Sequence, residues 1–140
     1  MTIHGECLCG SVKFEVDPPT TWCGHCHCTA CRQTHGSAFV TWFGVLLEQF
    51  RIVSGKDELT WYQSSNEAKR GFCKQCGSTM LFQSTRWADE MYVTLSNVVG
   101  KIDRAPTVHV FYDAHVDWFS VHDDLELLGG KSGTEPVGNE

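Results

Sequence analysis

At 140 residues, with 41% apolar residues, five Trp and eight Phe, the chain fits one domain that can bury a core without disulfides. Eleven basic against seventeen acidic residues give a net charge of −6, which argues against a nucleic-acid partner. No basic and apolar leader and no run near ~20 apolar residues is visible, so the expectation is a cytoplasmic protein with no membrane partner. Its oligomeric state is not readable from these features.

In a reducing compartment the eight cysteines read as metal ligands rather than disulfides. Seven metal-bound thiolates with two divalent ions would take the charge to about −9, so bound metal leaves the acidic character in place.

Cys7-Leu-Cys9-Gly10 comes first. Val12, Phe14 and Val16 then alternate with Ser11, Lys13 and Glu15, predicting a half-buried strand that Asp17-Pro18-Pro19 ends. Residues 21–28 read as a second strand. Period-2 parity there puts Cys26 and Cys28 on one face with Trp22 and Gly24, and Cys23, His25 and His27 on the other. Residues 29–35 suit a short helical turn that returns Cys31 to the pair. Further strands are predicted at 38–43, 50–54, 59–63, 80–82, 91–95 and 108–111, while 115–122 is too mixed to assign. Residues 129–140 have turn and linker composition and read as a flexible tail behind a domain at 1–128. Many short strands, no long amphipathic helix and no repeat give a mainly-β fold.

Two unlike cysteine constellations stand out. Cys7/Cys9 and Cys73/Cys76 are two close pairs on separated segments, the pattern of a closed tetrahedral site, with Gly10 and Gly77 placed for tight turns. A structural zinc there would contribute on the order of 10 kcal/mol of folding free energy. An iron–sulfur cluster is the other occupant such a set suits, and ordinary buried thiols at Cys7 and Cys9 the plain alternative. Cys26, Cys28 and Cys31 form C-x-C-x-x-C, three thiolates without an obvious fourth ligand. Cys23, His25, His27 and His35 are the candidates for that place, and parity disfavours the first three. A zinc site with three protein ligands and one exchangeable position is the catalytic type.

Cys7-Leu-Cys9-Gly, His25-Cys-His-Cys-Thr-Ala-Cys31-Arg, Gly36 to Thr41 and Gly71-Phe-Cys73-Lys-Gln-Cys76-Gly together resemble the glutathione-dependent formaldehyde-activating enzyme family, over nearly all the chain to about Leu128. The resemblance implies a β-tent fold similar to the Rab-accessory zinc proteins. It implies a structural zinc on Cys7, Cys9, Cys73 and Cys76, and a catalytic zinc on Cys26, Cys28 and Cys31. It further implies carbon–sulfur lyase activity on the adduct of formaldehyde with glutathione, which would serve as co-substrate. His109, His115 and Trp118 fall where the family carries a histidine and an aromatic residue, and Arg32, Arg70 and Lys74 are cations that could meet a glutathione carboxylate. Cys23 lies outside the family pattern and reads as a buried thiol. The alternative function is a non-catalytic zinc module that binds a protein partner or buffers thiols and metal.

Overall fold

The structure, a computed structural model, describes residues 1–137. Its elements in chain order are β1 (Ile3–Glu6), β2 (Lys13–Val16), β3 (Trp22–Cys26), α1 (Thr29–His35), β4 (Val40–Leu46), β5 (Phe50–Ser54), β6 (Leu59–Gln63), β7 (Ala68–Cys73), β8 (Thr79–Ser84), β9 (Glu90–Thr94), β10 (Val98–Val99), β11 (Val108–Val110), β12 (Glu126–Gly129) and β13 (Glu135–Pro136). The mainly-β expectation holds. No described helix is long and apolar enough to cross a membrane.

The chain divides into two compact units, one of Met1–Trp22 with Phe43–Arg104, the other of Cys23–Trp42 with Ala105–Glu140. In the first, β10, β1, β2 and β5 form an antiparallel sheet in that order. Strand β1 escapes a pattern search because its sequence, Ile-His-Gly-Glu, mixes polar residues with a glycine. Yet Ile3 and Gly5 face inward, and a Cβ on Gly5 would lie 2.1 Å from Phe14 Cζ, so the glycine makes room for a fully buried ring. Strands β6 to β9 form an antiparallel meander, with Leu59 opposite Cys73 and Leu81 opposite Val93. Val12, Phe14, Val16, Met80, Leu81 and Val93 are fully buried in this unit.

In the second unit, β11 lies between β3 and β12 and runs parallel to both. Its register sets His109 beside His25 and Val110 beside Cys26. The segment expected as a tail carries the end of β12 and all of β13, which pair antiparallel as Leu128 with Pro136 and Gly129 with Glu135. Gly130 and Gly133, both at positive φ, form the connecting turn. The last part of the expected tail, 138–140, lies outside the described residues.

Candidate metal centres and a histidine relay

Four sulfurs converge in the first unit. Cys7 and Cys9 follow β1, Cys73 ends β7, and Cys76 lies in the turn to β8; all four Sγ atoms lie within 4.8 Å of one another. Cys7 and Cys9 are 3.6 Å apart and Cys9 and Cys73 are 3.9 Å apart. Four sulfurs at about 2.3 Å from one tetrahedral ion would be about 3.8 Å apart, so the donor set fits zinc. The turns explain how the sequence achieves this. Gly10 and Gly77, at φ 79° and 80°, let Gly10 N–H donate to Cys7 O and Gly77 N–H to Cys73 O. The backbone amide of Val12 donates to Cys7 Sγ at 3.3 Å, a bond that favours thiolate. Ser78 Oγ, 3.2 Å from Cys76 Sγ, holds that thiol down to about 5.

Three sulfurs converge in the second unit. The sulfurs of Cys26, Cys28 and Cys31 lie within 4.8 Å of one another, with Cys26 and Cys31 3.5 Å apart. Parity along one strand is not the cause, because β3 ends at Cys26. Cys28 is the N-cap of α1, and its sulfur accepts from the Cys31 amide at 3.3 Å. Capping therefore joins Cys28 to Cys31, and the strand end supplies Cys26. The hydrogen-bonded thiols of Cys28 and Cys31, together with burial, push the Cys26 thiol well up. A divalent cation would reverse that by stabilising the thiolates, so this donor set also fits a thiophilic ion.

Among the described residues no fourth Cys, His, Asp or Glu donor joins the three. Cys23 is buried in β3 but belongs to neither cysteine group. His35 packs edge-on against Trp42 at 5.4 Å. His25 Nδ1 pairs with Thr41 Oγ1 at 2.7 Å.

His27 takes a different part. It is 1% exposed, its Nε2 lies 2.8 Å from His109 Nδ1, and its own Nδ1 is buried without a partner. His109, also 1% exposed, places Nε2 2.9 Å from the Asp123 carboxylate. Phe39 and Tyr112 enclose His27, each with ring centroids 5.0–5.1 Å from it. Burial, reinforced by the neighbouring His109, His115 and His25, lowers His27 to about 4, so it is neutral near pH 7. The His109 bond with Asp123 also gathers His25, His109 and Asp123 into a third cluster of potential donors within 4.8 Å. Asp123 is the residue that sequence reasoning misses. It sits 14 positions from His109, outside any regular element, where no periodicity points to it.

The remaining candidates separate clearly. Arg70 is buried in β7 with its guanidinium 4.9 Å over Phe82. Lys74 is exposed, and its backbone amide donates to Glu58 O. His115 stacks on Tyr112 at 4.0 Å, and Trp118 is 70% exposed. Arg32 extends from α1, one helical turn after Cys28.

A family model described as glutathione-dependent formaldehyde-activating enzyme matches residues 2–114. A Halomonas elongata protein provisionally named as such an enzyme is 26% identical over 131 residues, covering 86% of this chain and 82% of that protein. An uncharacterized lyase of Schizosaccharomyces pombe is 32% identical over 92 residues, covering 64% of each chain. A crystal structure of a Rhodobacter sphaeroides protein superposes with a TM-score of 0.61 at 28% identity, covering 71% of this chain and 91% of that one. Three cysteine blocks converge as two sulfur clusters inside the matched region, and the chain belongs to the glutathione-dependent formaldehyde-activating enzyme family.

Proposed function

We propose that this protein is a zinc-dependent carbon–sulfur lyase of β-tent architecture, acting in the cytoplasm on a glutathione adduct of a small aldehyde such as S-hydroxymethylglutathione. The observation that carries the reading is the convergence of Cys26, Cys28 and Cys31 without a fourth donor among the described residues. Cys7, Cys9, Cys73 and Cys76 would hold a structural zinc, and Cys26, Cys28 and Cys31 the catalytic one. When bound by three thiolates, zinc keeps a position open for an exchangeable sulfur and stabilises that sulfur as thiolate at neutral pH.

The chain's own residues supply the proton chemistry. An ionised Asp123 only accepts, so His109 donates from Nε2–H, and in that tautomer its Nδ1 accepts. His27 must then donate from Nε2–H, which leaves a bare lone pair on Nδ1 in the residue between Cys26 and Cys28. In the breakdown direction that lone pair takes the hydroxyl proton of the adduct. The S–C bond breaks with its electron pair going to sulfur, while the oxygen pair forms the aldehyde C=O. In the synthetic direction the thiolate attacks the aldehyde carbon, and the proton on Nδ1 returns to the oxygen. His109 and Asp123 hold the tautomer, and the Phe39 and Tyr112 rings keep His27 dry.

Metal analysis joined to an activity assay tests the reading. Two zinc ions per chain and adduct turnover are expected. One zinc ion, with Cys26, Cys28 and Cys31 reduced and metal-free in an inactive protein, would instead support the non-catalytic zinc module.

A further inference from the structure

We propose that Arg32 and Trp118 form a carboxylate-binding subsite for the thiol ligand, one helical turn from Cys28, and that it reads the glycine carboxylate of glutathione. The inference rests on the thiol-adduct reading of the three-cysteine site and adds the group that selects the thiol.

A cavity of about 220 Å³ is lined by Arg32, Gln33, Gly36, Ser37 and Trp118, all within the second unit. Among the described residues Arg32 is its only charged wall. The guanidinium donates from Nη2 to Thr29 Oγ1 at 3.3 Å, while its Nε is buried without a partner. Among the described residues Arg32 makes no ion pair, in a chain that carries a net charge of −6. The other four arginines are committed: Arg51 to Glu15 and Asp17, Arg70 to the Phe82 ring, Arg86 to the Trp87 ring and Arg104 to Thr20. A fork with donors to spare, half-buried beside a cavity, is suited to a bidentate carboxylate. Trp118, 70% exposed, offers a flat apolar wall for the stem that carries it.

Position narrows the ligand. The Arg32 amide donates to Cys28 O at 3.0 Å, so Arg32 stands one helical turn, about 5.4 Å along the axis, beyond the cap residue. A ligand sulfur at the three-cysteine site therefore needs a carboxylate roughly one peptide unit away. In glutathione the glycine carboxylate lies about 6–7 Å from sulfur along an extended chain by standard bond lengths, whereas the γ-glutamyl carboxylate is farther.

The test is calorimetric titration of the zinc-loaded protein with glutathione and with its glycine monoethyl ester, which removes only the charge at that end. The wild type should bind glutathione about 10–100-fold more tightly than the ester, as loss of a charge-assisted bidentate pair implies. Arg32→Gln, at unchanged zinc content, should erase that preference, and Arg32→Lys should restore part of it. Trp118→Ala should weaken both ligands. Equal binding of acid and ester by the wild type, binding of neither, or a preference that survives in Arg32→Gln would overturn the subsite. The wild-type comparison needs no variant to fold and no turnover. An inactive protein with an Arg32-dependent acid preference would keep the subsite and sink the lyase reading; an active one binding both ligands equally would do the reverse.

Discussion

His27 and His109 are joined ring to ring, Nε2 to Nδ1 at 2.8 Å, with both side chains 1% exposed. A bond between two buried imidazoles has a direction, and here the Asp123 carboxylate sets it from the far side of His109. Substituting Asp123 by Asn removes the obligate acceptor and lets the relay reverse. Asp123→Asn should lower kcat about 10–100-fold, the usual range for a proton-transfer group. Zinc content and KM should stay near wild type. An unchanged kcat would show that the relay is only packing.

The two sulfur clusters should respond differently to loss of one ligand. Cys76→Ser removes a sulfur that ties the turn after β7 to the segment after β1, so it should cost solubility and folding. Cys28→Ser should leave a folded protein with one zinc ion fewer and no activity, because serine can still cap α1. Thermal melts with parallel metal analysis measure both. Equal destabilisation by the two variants would contradict the division into a structural and a catalytic centre.

Gly55 adopts φ 79° before the turn that leads into β6, and a Cβ there would lie 1.8 Å from the Ser11 carbonyl oxygen. Backbone atoms cannot swing aside as a flexible side chain can. Gly55→Ala should destabilise the protein by about 2–4 kcal/mol, combining left-handed strain with the clash. Denaturant unfolding measures it, and a loss below ~0.5 kcal/mol would mean that this contact is not rigid.

Asp103 Oδ2 accepts from the Thr20 amide at 3.0 Å. Burial opposes ionisation, but the bonds from Thr20 and the nearby Arg104 charge outweigh it and lower the carboxyl. A carboxyl lowered by folding adds stability that is present above its unfolded value of about 3.9 and is lost as pH falls through the folded value. Wild type should therefore exceed Asp103→Asn by about 0.5–1 kcal/mol at pH 7, a modest figure because the side chain is exposed. The gap should close as the medium is acidified below pH 4. A gap that widens in acid would reverse the assigned sign.

Much of this architecture is written locally. Strands β5 and β6 coincide with the expected 50–54 and 59–63, and α1 with 29–35, because alternation and turn residues set them without distant help. The cysteine blocks are legible too: short spacings and flanking glycines predict which sulfurs can meet. Four things were not. Strand β1 depends on Gly5 fitting under Phe14, and the β12/β13 hairpin is built from residues with linker composition. The joining of Cys28 to Cys31 follows from helix capping rather than strand parity. The relay is the clearest case, since the parallel pairing of β11 with β3 and the return of the chain to Asp123 create it, and neither leaves a short-range signal.

The most direct test of the central claim is two-dimensional exchange NMR of glutathione and formaldehyde with the zinc-loaded protein. The account predicts exchange between free aldehyde and S-hydroxymethylglutathione at least about tenfold faster than the spontaneous rate, equivalent to ~1.4 kcal/mol of barrier lowering, and lost in Cys28→Ser. A wild-type rate equal to the spontaneous one, in protein carrying two zinc ions, would contradict it.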